Sequence, residues 1–225
     1  MTATMLARPI LLGHRGARST RSVPENSIFS FDLALEHGCD GFEFDLRLAG
    51  CGGPVVHHGP RVNGVLLTRA TCQELTHLPR IDDVLRHYSP RVFLDIELKV
   101  KGLESAVISA LREHTPLNYV VSSFLPDVIM ELKARSAVVP VGIICEKPSQ
   151  LMRWRKLPVE YVIVHRGLLT KKLIHLIHEA GRKVFVWTVN DETSMRRMAG
   201  WGVDGIISDN TRLLGQLFSA KSAVP

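Results

Sequence analysis

The sequence predicts an α/β fold, a TIM-type (β/α)8 barrel with parallel strands, from two regularities along the chain. Short β-branched or apolar runs alternate strictly with longer segments of helical period, and the strand-like runs number eight. A strand-then-helix order is typical of a parallel sheet, and eight such units favour closure into a barrel. The 225 residues suit one large core, so we expect a single domain over residues 1–225.

Turn and cap residues bound the predicted elements. We predict strands over residues 9–13, 41–48, 92–98, 119–124, 138–145, 161–165, 184–189 and 205–208. Helices are predicted over residues 26–37, 81–87, 102–114, 126–135, 149–156, 170–180, 191–200 and 211–219. Asp191 and Asn210 lie where helix N-caps are expected. Gly38, Gly181 and Gly202 lie at or just after helix ends, where a left-handed residue is commonly needed.

The composition is that of an ordinary water-soluble enzyme, with 45% hydrophobic and 22% charged residues. No apolar run approaches the roughly 18 to 20 residues that a membrane span needs, so we expect none. The N-terminal residues lack the pattern of a secretory signal, which makes the cytoplasm the expected compartment. Cys39, Cys51, Cys72 and Cys145 follow neither zinc-site nor disulfide-framework spacing, and we predict free thiols.

The net charge of +6 raises the question of which anion the protein meets. The basic residues are scattered doublets, without a run of five or more and without interleaved aromatic residues, which argues against a nucleic-acid partner. Arg15, Arg18 and Arg21 are different, because all three follow the first predicted strand. They predict electrostatic attraction of a small phosphate-bearing ligand.

A barrel of this kind carries its chemistry at the carboxyl ends of its strands. The unusual polar residues of this chain fall at or near those ends: His14, Arg15, Glu43, Asp45, Glu97, Lys99, Ser123, Glu146, His165, Trp187 and Asp209. Residues two apart on a strand share a face. Two inward rows are therefore predicted, Glu43 with Asp45 and Asp95 with Glu97 and Lys99, while Phe42, Phe44, Ile96 and Leu98 face the helices.

Three converging carboxylates predict a metal site. Burying carboxylates inside a barrel costs several kcal/mol per ion unless the charge is compensated, and a divalent cation is the usual compensation. A ligand set made only of oxygen favours Mg²⁺ or Ca²⁺. The other interpretation of these acidic residues is a buried salt-bridge cluster with Lys99 and Arg15.

Histidines stand in the same part of the sequence. His14 ends the first predicted strand within GHRG, and His57 and His58 follow the second strand. An imidazole with its ordinary pKa of about 6.5 can accept a proton, or donate one when it is charged. The pattern predicts an acid/base site beside the metal.

These motifs together resemble the glycerophosphodiester phosphodiesterase family. The matching segments, in family order, are GHRGA (13–17), PENS (24–27), GFEFD (41–45), PVVHH (54–58), LDIELK (94–99), SSF (122–124), WTVN (187–190) and GVDGIISDN (202–210). They extend from near the N-terminus to the last predicted strand, which makes the resemblance specific. It implies a TIM-type barrel that hydrolyses glycerophosphodiesters to sn-glycerol 3-phosphate and an alcohol, with a divalent metal.

The resemblance also implies roles for particular residues. It makes His14 and His58 the acid/base pair, Glu43, Asp45 and Glu97 the metal ligands, and Arg15 and Lys99 phosphate contacts, with Trp187 on the alcohol side and Ser123 as a further substrate contact. The resemblance further implies that a neighbouring glycerol hydroxyl attacks first and gives a cyclic phosphate, but these residues do not distinguish that route from direct attack by water.

Two features depart from the family pattern. The family usually has aspartate after the second histidine, whereas His58 is followed by Gly59. Without that carboxylate, the imidazole of His58 could be less well oriented, or His57 could face inward instead. Only 38 residues lie between His58 and Glu97, so we expect the inserted subdomain to be reduced or absent and the site to be more open.

Other functions stay open at this point. A related barrel could act as a lysophospholipase D or a phospholipase C-like enzyme, and an apolar rim would favour that interpretation. An amidohydrolase would need HxH at the first strand, where this chain has HR. A barrel that binds phosphate esters without turnover is the non-enzymatic alternative. The preferred alcohol, the metal and the oligomeric state stay undetermined.

The remaining polar residues are predicted to have lesser roles. Asp95 lies deeper than Glu97 and is predicted to be structural, and Asp209 is predicted to be a helix cap. His165 is a second candidate for a phosphate contact. His175 and His178 are predicted to be surface residues of a helix.

Overall fold

The computed structural model describes residues 8–18 and 22–218. Arg21, predicted to attract phosphate, and residue 219, the last of the eighth predicted helix, lie outside these described residues. The strands are β1 (Ile10–His14), β2 (Gly41–Leu48), β3 (Pro54–Val56), β4 (Arg61–Val62), β5 (Val65–Leu66), β6 (Phe93–Leu98), β7 (Asn118–Ser123), β8 (Val141–Cys145), β9 (Tyr161–His165), β10 (Lys183–Trp187) and β11 (Gly205–Ser208). The α-helices are α1 (Ile28–Glu36), α2 (Ile81–Tyr88), α3 (Glu104–His114), α4 (Pro126–Arg135), α5 (Pro148–Leu151), α6 (Lys171–Glu179), α7 (Glu192–Trp201) and α8 (Thr211–Phe218).

Eight of these strands form a closed barrel. β1 pairs in parallel with β2 on one side and with β11 on the other, and parallel pairing continues from β11 through β10, β9, β8, β7 and β6 back to β2. The helices lie between successive strands along the chain, which is the (β/α)8 order. The prediction of a TIM-type parallel barrel is therefore confirmed.

Alternation along the strands separates two apolar layers. Side chains that point into the barrel form one cluster, made of Leu12, Phe93, Val120, Ile144, Tyr161, Ile163, Phe185 and Ile207. The outer cluster lies between the barrel and the helices and contains Phe42 and Phe44, as predicted. Phe31 of α1 stacks on Phe42 with ring centroids 4.1 Å apart, so this helix is held on the strand that carries the acidic residues. Each such buried ring contributes about 1.5 to 3 kcal/mol relative to an exposed one.

The segment between β2 and α2 contains three short strands, β3, β4 and β5, that were not predicted. β3 pairs antiparallel with the end of β2, and β4 and β5 form a two-stranded hairpin. These strands are two or three residues long, too short for a periodic pattern. They cover a minor cluster of Ala49, Val55, Val62, Leu67, Ala70 and Leu75. The segment contains no larger unit before α2, in line with the expected reduced insertion.

Several boundaries differ from the predicted ones. The strand predicted from residue 138 begins at Val141, because Val138 is 88% exposed and Pro140 cannot donate to a ladder. The helix predicted over 149–156 divides into α5 and a 3₁₀ turn at Trp154–Lys156. The predicted caps are confirmed: Asp191 accepts a hydrogen bond from the Ser194 amide (2.8 Å), and Asn210 accepts one from the Leu213 amide (3.2 Å).

Other expectations from composition can be compared with the described residues. Gly38, Gly181 and Gly202 all have positive φ angles, as helix-ending glycines do. The four cysteines are free thiols in the fold, as predicted. Among the helices described, none combines the length and the apolar character needed to cross a membrane.

Candidate active site

A pocket of about 280 Å³ opens at the carboxyl ends of the barrel strands. Its polar lining is formed by His14, Arg15, Glu43, His58, Asp95, Glu97, Lys99 and Glu146. Its apolar lining is formed by Phe124, Ile144, Ile163, Trp187 and Ile207. The pocket therefore joins most of the predicted site residues at the end of the barrel where this fold carries its chemistry.

His14 is the last residue of β1 and points into the pocket. Its Nδ1 lies 2.7 Å from Asp209 Oδ1, and its Nε2 lies 3.9 Å from Glu43 Oε2. A carboxylate can only accept, so Nδ1 carries the proton and the Nε2 lone pair faces the acidic residues. Burial lowers the pKa of His14 below its ordinary value of 6.5, although the hydrogen bond to Asp209 opposes this. The geometry and the pKa both favour a neutral imidazole that can accept a proton.

Asp209 is not the helix cap that we predicted. Asn210, one residue later, caps α8, while Asp209 contacts His14 and accepts a hydrogen bond from Asn190 Nδ2 (2.8 Å). Arg18 Nη1 lies 3.5 Å from the same carboxylate oxygen that contacts His14. Asp209 therefore orients the imidazole, a role that becomes visible only when β11 closes the barrel against β1.

Arg15 is held by both its backbone and its side chain. It has a left-handed backbone (φ 57°), and its amide donates to Glu43 Oε2 at 3.0 Å. The guanidinium Nη1 donates to Glu25 Oε1 at 3.0 Å, and Nε lies 3.1 Å from Asp45 Oδ2. Glu25 belongs to the PENS segment, which resembles the family sequence and to which we assigned no role. A buried, doubly paired guanidinium is thus fixed at the wall of the pocket.

Strand register brings the predicted carboxylates together. Glu43 is opposite Asp95, and Asp45 is opposite Glu97, across the β2–β6 pair. Glu43, Asp45 and Glu97 are buried, and each has a carboxylate oxygen within 4.8 Å of the others. Their inward orientation follows from the two-residue period of a strand, as predicted.

The three carboxylates differ in how they are compensated. Burial, reinforced by the charges of Asp45 and Glu97, raises the pKa of Glu43 well above its ordinary value. Burial also raises the pKa of Glu97 to about 7, with Lys99 opposing the shift. Burial acts in the same direction on Asp45, but the hydrogen bond with His58 and the charges of Lys99 and Arg15 outweigh it and lower the pKa. The nearby cationic side chains thus compensate the charge of Asp45, but they do not fully compensate ionised Glu43 and Glu97.

These donors fit one hard divalent cation. Two oxygens bound to the same Ca²⁺ can be at most about 4.6 to 5.2 Å apart, twice the metal–oxygen distance, and the 4.8 Å cluster meets that limit. Glu43 Oε1 is buried and has no hydrogen-bond partner among the described residues, so it is free to bind an ion. An oxygen-only set suits Mg²⁺ and Ca²⁺ better than zinc.

Lys99 follows β6 and bridges the acidic cluster. Its Nζ lies 2.7 Å from Glu97 Oε1 and 3.3 Å from Asp45 Oδ1, and 5.5 Å from the centre of the Phe124 ring. Although burial lowers the pKa of Lys99, the surrounding carboxylates raise it by more, so the ammonium stays charged. Lys99 therefore provides a fixed positive charge in the lining of the pocket.

His58, rather than His57, enters the pocket. Its Nδ1 lies 3.2 Å from Asp45 Oδ1, and its side chain is 39% exposed. His57 instead directs Nδ1 toward the Gly59 carbonyl at 2.9 Å and does not line the pocket. We expected His58 to lack a carboxylate partner, because position 59 is glycine. Asp45 provides that carboxylate contact instead. The other carboxylate oxygen of Asp45, Oδ2, accepts a hydrogen bond from Asn26, a second residue of the PENS segment to which we assigned no role.

Ser123 is not brought to the pocket. It is fully buried, and its hydroxyl donates to the Leu98 carbonyl at 2.7 Å and accepts from the Leu125 amide at 3.1 Å. The reason is strand alternation: Phe124 and Ser122 point inward, so the residue between them points outward. Ser122 Oγ donates to Asp95 Oδ1 at 2.6 Å. The prediction of Ser123 as a substrate contact therefore disagrees with its position.

Asp95 and the aromatic residues complete the lining. Asp95 lies below Glu97, as predicted, but it forms part of the pocket, and burial raises its pKa to about 7. Trp187 and Phe124 pack edge to face, with centroids 5.6 Å apart. His165 packs against Trp187 (5.5 Å) outside the lining, and its Nδ1 accepts from the Gly167 amide, so it has no position for the phosphate contact that we considered.

Comparison with known proteins identifies the family of the chain. The model of the "Glycerophosphoryl diester phosphodiesterase family" matches residues 14–87 and 83–213. A glycerophosphodiester phosphodiesterase of Caldanaerobacter subterraneus is 26% identical, over 92% of this chain and 96% of its own. The Thermotoga maritima glycerophosphodiester phosphodiesterase has a TM-score of 0.80 at 25% identity, covering 94% of this chain and 99% of that chain. The fold of an Oleispira antarctica phosphodiesterase, solved in complex with the product sn-glycerol-3-phosphate, is also similar (TM-score 0.82, 24% identity, 93% and 96% covered). With its barrel, its acidic cluster and a family match over most of its length, the chain belongs to the glycerophosphoryl diester phosphodiesterase family.

Proposed function

We propose that the protein hydrolyses glycerophosphodiesters to sn-glycerol 3-phosphate and an alcohol, with one divalent cation, Mg²⁺ or Ca²⁺. The observation that carries this proposal is the cluster of three buried carboxylates, Glu43, Asp45 and Glu97, at a pocket that is also lined by two cationic side chains and two imidazoles. Family membership supports the same reaction class, and the Oleispira relative binds sn-glycerol-3-phosphate. The substrate is therefore a small phosphodiester.

Glu43, Asp45 and Glu97 would hold the cation. When bound, the cation supplies positive charge that polarises the phosphoryl oxygens and stabilises the charge that grows on them. Arg15 and Lys99 line the same pocket and contribute fixed positive charge to the same oxygens. Their pairing with Glu25 and Glu97 holds both side chains in position before the substrate arrives.

His14 would act as the general base. Its Nε2 is unprotonated, because Asp209 fixes the proton on Nδ1, and burial keeps the ring neutral near pH 7. After Nε2 takes the proton of the attacking hydroxyl, the Asp209 carboxylate stabilises the resulting imidazolium. The same imidazole would serve either nucleophile, a neighbouring glycerol hydroxyl or water.

His58 would act as the general acid toward the leaving alkoxide. It lines the pocket beside the acidic cluster, and its contact with Asp45 Oδ1 can hold a protonated ring. Its partial exposure allows the ring to regain a proton from solvent after each turnover. General acid/base help of this kind is worth roughly 100-fold to 10,000-fold in rate.

Among the described residues, the pocket lining has no exposed large apolar side chain for an extended acyl chain to bind. The exposed large apolar side chains of the described residues are Phe29, Val65, Leu117, Met130, Val138 and Met152, and none of them lines the pocket. A lysophospholipid or phosphoinositide would therefore leave its chains in water. This absence of a rim favours a deacylated diester over the lipid alternative.

The test is a coupled assay on purified protein. Glycerophosphocholine and glycerophosphoethanolamine are supplied with Mg²⁺, with Ca²⁺ or with EDTA, and sn-glycerol 3-phosphate is measured through its dehydrogenase. We expect EDTA to abolish turnover and His14→Ala to lower kcat by at least the roughly 100-fold of a lost acid/base group. His175→Ala, a substitution of an exposed helical histidine, is the matched control and should leave kcat unchanged.

Each failure has a distinct meaning. Turnover that persists in EDTA would refute the ligand role of the three carboxylates. Hydrolysis of none of the diesters would refute the enzymatic proposal and favour a barrel that binds phosphate esters. Transient appearance of a cyclic glycerophosphate in ³¹P spectra would identify the glycerol hydroxyl as the first nucleophile.

A further inference from the structure

The pocket is chemically divided. The strands β1, β2 and β6 bring His14, the acidic cluster, Arg15 and Lys99 to one side, and the loop after β3 adds His58. The remaining strands bring Phe124, Ile144, Ile163, Trp187 and Ile207. A single charged side chain, that of Glu146, belongs to this second side among the residues that line the pocket.

Glu146 is placed across the barrel from the proposed base. It is the first residue after β8, which is the fifth strand of the barrel when β1 is counted as the first. The distance around the ring from β8 to β1 is four strands in either direction, so the two lie on opposite sides. Glu146 is exposed, at the rim rather than at the floor.

The carboxylate of Glu146 is not neutralised by the protein. Within residues 8–18 and 22–218 it forms no hydrogen bond and no ion pair, although its backbone amide donates to Gln150 Oε1 at 2.9 Å. Of the other acidic residues of the lining, Glu43 and Glu97 belong to the proposed metal cluster, and Asp95 is buried and accepts a hydrogen bond from Ser122 Oγ. A free negative charge at the mouth of a pocket for a phosphodiester anion opposes binding, unless the ligand also carries a positive charge.

We propose that Glu146 and Trp187 form a subsite for a positively charged alcohol group, such as a quaternary or primary ammonium. This inference rests on the proposed function and narrows its substrate class to diesters of cationic alcohols. Trp187 is the side chain type that attracts cations most strongly through its ring face, and Ile144 provides apolar surface that suits N-methyl groups. Lys99 Nζ already lies over the Phe124 ring, so the cation belongs nearer to Glu146 and Trp187.

The test compares substrates that differ in the charge of the alcohol. The kcat/KM values for glycerophosphocholine and for glycerophosphoglycerol, whose alcohol is neutral, are measured with wild type, Glu146→Gln and Glu146→Asp. We expect wild type to favour the choline ester, and Glu146→Gln to lower the choline-to-glycerol ratio about three- to tenfold, the effect of one partly screened charge. Glu146→Asp keeps the charge and should retain most of the preference.

The matched control is Glu36→Gln. This exposed carboxylate ends α1 and therefore lies at the opposite end of the barrel from the pocket. It removes the same charge, so a long-range effect of net charge would lower the ratio in both variants. We expect the ratio to be unchanged in Glu36→Gln, and the Glu146→Gln effect to shrink in 0.5 M salt, where the screening length is about 4 to 5 Å.

The outcomes separate the two proposals. If no variant and no wild-type sample hydrolyses any diester, the proposed function is rejected and the subsite with it. If wild type hydrolyses both esters but Glu146→Gln leaves their ratio unchanged, the subsite alone is rejected. An equal loss on both esters in Glu146→Gln would also reject it, because the lost interaction would not depend on the charge of the alcohol.

Discussion

Replacement of Asp209 by asparagine tests the orientation of the proposed base. Asp209 Oδ1 lies 2.7 Å from His14 Nδ1, and a carboxylate at that position accepts a hydrogen bond from the Nδ1–H group. An asparagine has nearly the same size but can turn its amide nitrogen toward the ring. The proton would then move to Nε2, the nitrogen that has to accept one during the reaction.

The expected loss can be worked from this contact. A hydrogen bond to a charged group contributes about 1.5 to 3 kcal/mol, and the full contribution arises only when His14 becomes an imidazolium. The Asp209 side chain is 25% exposed and is shared with Arg18 and Asn190, which favours the lower part of that range. Since 1.36 kcal/mol corresponds to a tenfold rate change, Asp209→Asn should lower kcat by about 10- to 30-fold.

The assay follows kcat, KM and their pH dependence in the same coupled reaction. Because Asp209 raises the pKa of His14, its removal should shift the acid limb of kcat/KM to lower pH as the plateau falls. The control is Asp191→Asn, which changes an exposed N-cap to another good cap outside the pocket and should change neither kcat nor the pH profile.

Two results would refute this reasoning. A loss in kcat smaller than threefold would mean that Asp209 does not determine the tautomer of His14. A large loss without any shift of the acid limb, together with a lower melting temperature, would mean that Asp209 supports the fold and not the imidazole.

Two further predictions concern Ser123 and pH. Ser123→Ala should keep kcat/KM within about threefold of wild type. It should lower the free energy of unfolding by about 1 to 3 kcal/mol, because the hydroxyl forms hydrogen bonds only with the backbone. A loss of activity at unchanged stability in urea titrations would contradict this. At saturating metal, the acid limb of wild-type kcat/KM should have its midpoint below pH 6.5, because burial lowers the pKa of His14 and protonation removes the base. A midpoint above 6.5 would show that another group limits the reaction.

The acidic cluster could be predicted because two simple rules determine it. Parallel strands end at the same rim of a barrel, and residues two apart on a strand share a face. Glu43, Asp45 and Glu97 obey both rules, and the β2–β6 register then brings them within reach of one ion. The fold class followed for the same reason, since eight similar units leave few other topologies.

The roles of Asp209 and Ser123 were predicted wrongly, because they depend on tertiary contacts that the local sequence pattern does not show. Asp209 meets His14 across 195 positions of sequence, through the closure of β11 on β1. Ser123 was assigned to the wrong face, because Ser122 and Ser123 are identical neighbours and the apolar alternation that tells an inward residue from an outward one stops before them. The signal that could have found the correct neighbours is the inward position of Val120, which places Ser122 and Phe124 on the pocket side.

The two imidazoles are oriented by different parts of the molecule. His14 depends on Asp209, which takes no part in the acidic cluster, whereas His58 depends on Asp45, which does. Asp45 also receives Asn26 Nδ2 on its other oxygen at 2.8 Å, so the loop before α1 fixes the carboxylate that in turn fixes His58. Loading of a cation and alignment of the proposed acid are therefore coupled through one side chain, while the base is aligned by a carboxylate outside the acidic cluster. The chain can therefore have glycine after His58, because the carboxylate that orients the ring, Asp45, comes from the neighbouring strand β2.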